Sequence, residues 1–109
     1  MPDKTEPLTE SYYYILLCLY NGPNHGYGIM QETIKLSKNS VRIGSGTMYG
    51  ATSNMIRKGW IIESKSSNPS EDRKRLYELT STGRQVLMDE IERLKQLIEN
   101  SEIIMHTSR

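Results

Sequence analysis

Apolar positions recur with a helical period through the first half of this chain, give way to two short strand-like runs after residue 60, and return to the helical period after residue 80. Between Thr9 and Asn21, Tyr12, Ile15, Leu16 and Leu19 share one face, while Tyr13, Tyr14, Leu17, Cys18 and Tyr20 carry apolar surface around nearly the whole cylinder. Such a helix is covered on more than one side. Leu8 and Thr9 supply a staple and a cap in front of it, and Gly22-Pro23 closes it. After a tight connection through Asn24, His25 and Gly26, a second helix is predicted over Tyr27 to Ser37, with Tyr27, Met30 and Ile34 on one face and Ile29 and Leu36 opposite.

The extended triplet Val41-Arg42-Ile43 leads into Gly44, Ser45 offers its hydroxyl as a cap, and Gly59 stands at a C′ position after two basic residues. On the helix between them Met48, Ala51, Thr52 and Met55 form the buried side, with Ile56 on its edge. Trp60 to Ser66 and Lys74 to Thr80 then read as two short strands joined by the polar segment Ser67 to Arg73, a β-hairpin. Thr80 or Ser81 caps a last helix that no proline or glycine interrupts after Gly83. Leu87, Ile91, Leu94 and Ile98 step along it as a heptad seam that Met105 extends, and Val86, Leu97, Ile103 and Ile104 widen the stripe.

These elements predict a mainly α fold with a small β-hairpin, in three parts: a flexible tail over residues 1–7, a globular unit over 8–80, and a projecting helix over 81–109. A chain of 109 residues supports one small core, so a helix long enough to overhang it calls for a second copy. Tyr13, Leu87, Ile91, Leu94, Ile98 and Met105 are the expected dimer contacts.

The polar side of the third helix carries the candidate chemistry. Gly46, Gly50, Ser53 and Arg57 lie there with Tyr49, flanked by Thr47 and Asn54. Each exposed interior glycine costs roughly 1 kcal/mol relative to alanine, a sacrifice that makes sense where something must come close. Hydroxyls, amides and an arginine are the donors and acceptors used at base edges and phosphates in a DNA major groove. Taken alone, the same face suits an ordinary surface helix. Charge adds to the picture: Lys35 to Arg75 holds nine basic and three acidic residues, a net of +6, whereas the remainder holds five and ten, a net of −5. Arg73, Lys74 and Arg75 stand where the hairpin returns, placed either to meet a phosphate backbone or to keep an edge strand soluble. The expected DNA-contacting set is Ser45, Thr47, Tyr49, Gly50, Ser53, Asn54, Arg57, Arg73 and Lys74.

Other chemistries are poorly supplied. Cys18 is the only cysteine and lies in an apolar run, which excludes a disulfide framework and a CxxC metal site. His25 has no second histidine or cysteine at ligand spacing nearby and reads as a structural histidine in a turn. Gly44, Gly46 and Gly50 with Glu63 downstream resemble a dinucleotide turn, but that fold needs parallel strands and the chain makes a hairpin instead. No catalytic residue, metal or cofactor is expected. No stretch reaches a membrane span's length and no secretory leader opens the chain, so a cytoplasmic protein is expected.

Three helices, a short strand and a hairpin, in the order helix, helix, strand, helix, hairpin, make a winged helix-turn-helix. Five stretches are specific: Leu8 to Leu17, His25-Gly26-Tyr27-Gly28, Gly44 to Ala51 (GSGTMYGA), Lys58-Gly59-Trp60-Ile61, and Arg73-Lys74 to Leu79-Thr80 with Gly83. In that order they resemble the first helix, the H-G-Y turn, the G-x-G-T-L-Y-x-A signature, the start of the wing and its end in PadR-type transcriptional regulators. The resemblance implies a homodimeric repressor whose recognition helices enter successive major grooves of a near-palindromic operator, with release by a small-molecule or stress signal. A winged-helix module that binds protein instead of an operator is the alternative. Thr52 departs from the pattern, which has leucine there, and implies either a looser core or a hydroxyl bonded back to the helix backbone.

Overall fold

Thr9 opens the first helix as its sequence suggests: its Oγ1 accepts the Tyr12 backbone N–H at 3.2 Å. The computed structural model describes residues 6–65 and 75–107. In chain order they form α1 (Glu10–Cys18), β1 (Asn24–His25), α2 (Gly26–Leu36), α3 (Ser45–Arg57), β2 (Ile61–Lys65), β3 (Arg75–Leu79) and α4 (Ser81–Thr107). The fold is mainly helical with a small antiparallel sheet, a winged helix-turn-helix extended by one long helix.

Two helix ends use the same device. At the end of α3, Trp60 N–H reaches Met55 C=O at 2.9 Å and Gly59 N–H reaches Ile56 C=O at 3.0 Å, with Gly59 at φ 79°. At the end of α2, Asn39 N–H reaches Ile34 C=O at 2.9 Å and Lys38 N–H reaches Lys35 C=O at 3.2 Å, with Lys38 and Asn39 both at positive φ. The first is announced by glycine; the second uses residues that a sequence pattern does not flag. Two expectations about boundaries shift. Helix α1 stops at Cys18 rather than Asn21 because Leu19 and Tyr20 turn their N–H groups to the carbonyls of Leu16 and Leu17, tightening the last turn. Gly44, not Ser45, is the N-cap of α3, and no side chain caps that end.

The sheet also differs from expectation. Val41–Ile43 joins no strand; Ile43 instead anchors in the core. The third strand is Asn24–His25, paired antiparallel to β3 with Asn24 opposite Tyr77 and His25 opposite Leu76, giving the order β1-β3-β2. Gly28 permits this, since a Cβ there would overlap the Asn24 side chain, whose Oδ1 accepts the His25 N–H at 2.9 Å.

The core gathers Ile15, Leu16 and Leu19 of α1, Ile29 of α2, Ile43, Met48, Ala51 and Met55 of α3, Ile61 and Tyr77 of the sheet, and Leu87 of α4. On helix α2 the buried line runs through Ile29 and Thr33 with Met30 packed beside it, between the two faces that its apolar residues predict, and Leu36 is exposed. Ile29 and Thr33 are fully buried, while Tyr27 is 71% exposed. The pattern misled because Thr33 counts as polar, yet its hydroxyl donates to the Ile29 carbonyl at 2.8 Å and is thereby satisfied. Thr52 is buried in the same way, donating to the Met48 carbonyl at 2.9 Å, so the hydroxyl bonds back to the helix.

Helix α4 divides into two halves. Its first part packs on α1: Leu87 is fully buried within the subunit and so belongs to this core, not to the surface left for a second copy. Beyond it Leu97, Ile98, Ile103, Ile104 and Met105 are all exposed by half or more. Glu90, buried on the packed half, holds Arg93 through two hydrogen bonds of 2.9 and 2.8 Å and accepts the Leu8 N–H at 3.4 Å. The Arg93 bonds hold its carboxyl below its ordinary value of 4.5, against the opposing effect of burial and with help from Leu8.

A depressed carboxylate stabilises the fold fully above its unfolded pKa and loses that contribution as pH falls through the folded value. Glu90→Gln is therefore expected to lower stability by roughly 1–3 kcal/mol at neutral pH. In urea titrations the gap between variant and parent should narrow as the solution is acidified below the ordinary carboxylate range. A gap unchanged down to the acid unfolding limit would refute the pairing as a source of stability.

Candidate nucleic-acid interface

Helix α3 is held by its Met48, Ala51, Thr52 and Met55 side, all buried, and turns the other side outward. On that side Gly46 and Gly50 have nothing within 4 Å of where a Cβ would stand. Ser45, Thr47 and Arg57 are exposed, Tyr49 is 66% exposed, and Ser53 is half-buried. Ser45, Thr47, Tyr49, Gly50 and Arg57 thus come together on an open surface. The first N–H groups of α3 have no carbonyl within the helix to reach, which leaves its N-terminus partially positive.

Asn54 is placed differently from its neighbours. Its Nδ2 donates to the Tyr12 hydroxyl of α1 at 2.9 Å, and its Oδ1 accepts from an Arg57 guanidinium nitrogen. Both ends of the amide are engaged within the subunit, so Asn54 links α1 to the basic end of α3 and orients Arg57. Tyr12 in turn meets Trp60 edge to face, with centroids 6.4 Å apart, and the Lys58 ammonium sits 5.2 Å over the Trp60 ring. Sequence reasoning placed Tyr12 on an apolar face and missed this network. The available signal is its hydroxyl, which needs a partner once the ring is part-buried.

The wing's β2 and β3 pair from Ile61 opposite Leu79 to Lys65 opposite Arg75, and Glu63 forms a 3.1 Å ion pair with Arg75. Arg73 and Lys74 lie outside the described residues. Cys18 donates weakly to the Ile29 carbonyl, and burial first, against its contact with Thr33, pushes its thiol pKa up, away from a reactive thiolate. No group of three or more potential metal ligands occurs among the described residues.

The model of the transcriptional regulator PadR-like family matches residues 15–89. This chain is a member of the PadR-like family. A comparison with curated protein sequences found no match. Solved structures agree on the fold. A PadR family transcription regulator from hypervirulent Clostridium difficile superposes with a TM-score of 0.74 at 22% identity, over 89% of this chain and 99% of that one. A transcriptional regulator from Clostridium thermocellum gives 0.72 at 19% identity over 84% and 88%, and smu.1704 from Streptococcus mutans gives 0.71 at 21% over 94% of each.

PadR-like proteins are transcriptional regulators and not enzymes, and that is the class to which this chain belongs. No described helix is long and apolar enough to cross a membrane. The PadR-like match ends at residue 89, so the family model covers α3, the described strands of the wing and the packed start of α4. The exposed half of α4 lies beyond it.

Because a methyl group at Gly50 meets open space on a regular helix, Gly50→Ala is expected to raise stability by roughly 0.5–1 kcal/mol. Chemical denaturation measures this directly. A destabilised Gly50→Ala would show that the site is packed against something in the folded protein.

Proposed function

We propose that this chain is a homodimeric, sequence-specific DNA-binding repressor whose α3 enters the major groove and whose wing contacts the backbone. The observation that carries this is the outward face of α3, where two glycines sit in open space beside exposed hydroxyls, Tyr49 and Arg57. Glycine there lowers helix stability, and the compensating gain is close approach of the helix to a groove wall. Ser45, Thr47, Tyr49, Gly50, Ser53, Asn54 and Arg57 line the groove in this reading, Asn54 through its hold on Arg57, and Arg73 and Lys74 meet phosphates.

Dimerisation sets the distance between the two α3 helices and hence the half-site spacing of the operator. The exposed stripe of α4 supports it, together with a groove of about 360 Å³ lined by Tyr13, Ile91, Leu94 and Ile98 that this chain leaves open. A ligand or stress signal that favours another spacing would release the operator, since any effector couples to DNA only through a difference between two states.

Selection from a random DNA pool should enrich a near-palindromic sequence. With that operator, Ser53→Ala is expected to change which base is preferred at one position in each half-site. Lys74→Ala should weaken all DNA alike and reduce the slope of affinity against salt by about one unit. Gel-shift titrations that do not respond to either variant would exclude these contacts.

For the dimer, the double variant Leu94→Arg, Ile98→Arg is expected to sediment as a monomer. Retention of a dimer would put the interface elsewhere.

A further inference from the structure

The outer half of α4 differs from one side to the other. Ile91, Leu94, Ile98, Ser101 and Met105 follow one another at steps of three, four, three and four residues and form a single seam. Lys95 and Glu102 lie seven residues apart along one flank of that seam, and Leu97 and Ile104 lie seven apart along the other. All four side chains are exposed, and neither Lys95 nor Glu102 has an ion-pair partner among the described residues. One flank is charged and the other aliphatic. In a parallel pair of such helices each flank faces its partner's opposite flank, which sets Lys95 and Glu102 against leucine and isoleucine. In an antiparallel pair like flanks meet. With the two-fold axis level with the Glu99–Asn100 peptide, Lys95 stands opposite the partner's Glu102, Leu97 opposite the partner's Ile104, Leu94 opposite the partner's Met105, and Ile98 opposite the partner's Ser101. Charge then meets opposite charge, and aliphatic meets aliphatic.

We infer that a second copy of this chain lies antiparallel on α4 in this register, selected by two symmetry-related ion pairs between Lys95 and the partner's Glu102. This orientation rests on the homodimer proposed above and adds to it the register and the side chains by which the chain recognises its own copy. The groove of about 360 Å³ lined by Tyr13, Leu94 and Ile98 lies where the register delivers the partner's Met105, a flexible side chain suited to an irregular gap. Ser101 enters its layer without an unmet hydrogen bond, because its hydroxyl already donates to the Ile98 carbonyl at 2.7 Å. The apolar seam supplies the affinity. Exposed ion pairs add little net attraction, and these two act by leaving every other register unpaired or repulsive.

The test exchanges charges on the full chain, without DNA and at low salt, and follows association by sedimentation and native mass spectrometry. Lys95→Glu places two like-charged contacts across the axis, as does Glu102→Lys, and each is expected to weaken self-association by about tenfold. Mixing the two variants restores both pairs in the mixed dimer. That heterodimer is expected to exceed the share that random exchange gives, and the double exchange Lys95→Glu, Glu102→Lys in one chain is expected to recover the parent's association. Circular dichroism verifies that each variant keeps its helices, and an effect confined to one helix produces no preference for the mixed dimer. Random mixing of the two single variants, or a double exchange that fails to recover association, would overturn the antiparallel register while leaving the homodimer in place. A parent chain that stays monomeric throughout the titration would overturn the homodimer and the register together. Since no DNA is present, operator binding is judged by its own experiment.

Discussion

The rest of the structure depends on the junction at Trp60, where the end of α3, both strands of the wing and the start of α4 are tied to one carbonyl group. The Trp60 C=O accepts the Thr80 N–H at 3.0 Å and the Thr80 hydroxyl at 2.9 Å, and Thr80 Oγ1 also reaches the Gly59 carbonyl at 2.6 Å. The same hydroxyl accepts the Gly83 N–H at 3.0 Å, capping α4. Gly83 is obligatory for a steric reason, since a Cβ there would overlap the Trp60 oxygen and come within 2.9 Å of Leu79 Cδ1. One threonine and one glycine therefore fix the angle at which the long helix leaves the winged domain. In a dimer joined through α4, that angle determines where each α3 points.

Around this junction polar groups are buried only where a partner is at hand. Thr33 and Thr52 return their hydroxyls to carbonyls one turn back, Ser37 bonds the Val41 backbone in the turn between α2 and α3, and Glu90 holds Arg93. No buried side-chain nitrogen or oxygen among the described residues lacks a partner. The stability given up at Gly46 and Gly50 is thus not matched by looseness underneath. The helix that offers itself outward rests on a satisfied core, which keeps its outer face in place while leaving it open.

The Tyr12–Asn54–Arg57 chain brings a second kind of order. It connects the helix that packs against α4 to the basic end of α3, so that a change at α1 reaches Arg57 through two hydrogen bonds. The groove beside it is lined by Tyr12, Asn54, Lys58 and Trp60, so the same few side chains shape the groove and orient the end of the helix.

Periodicity, caps and turn residues by themselves determined the four helices and the wing strands found among the described residues, which side of α3 is buried, and where Gly59 ends it. These are local matters: each depends on residues within a turn or two of one another, and the side-chain pattern records them directly. The tertiary structure alone decided the rest. It chose Asn24–His25 as the third strand, because a strand exists only through its partner and β3 lies some fifty residues away. It also buried Ile29 and Thr33 in place of Tyr27, brought Tyr12 to Asn54, and assigned Leu87 to the core while leaving Ile98 exposed. A one-dimensional pattern marks a residue as apolar or polar, but not which neighbour satisfies its hydroxyl or covers its face, and that depends on contacts between elements distant in sequence.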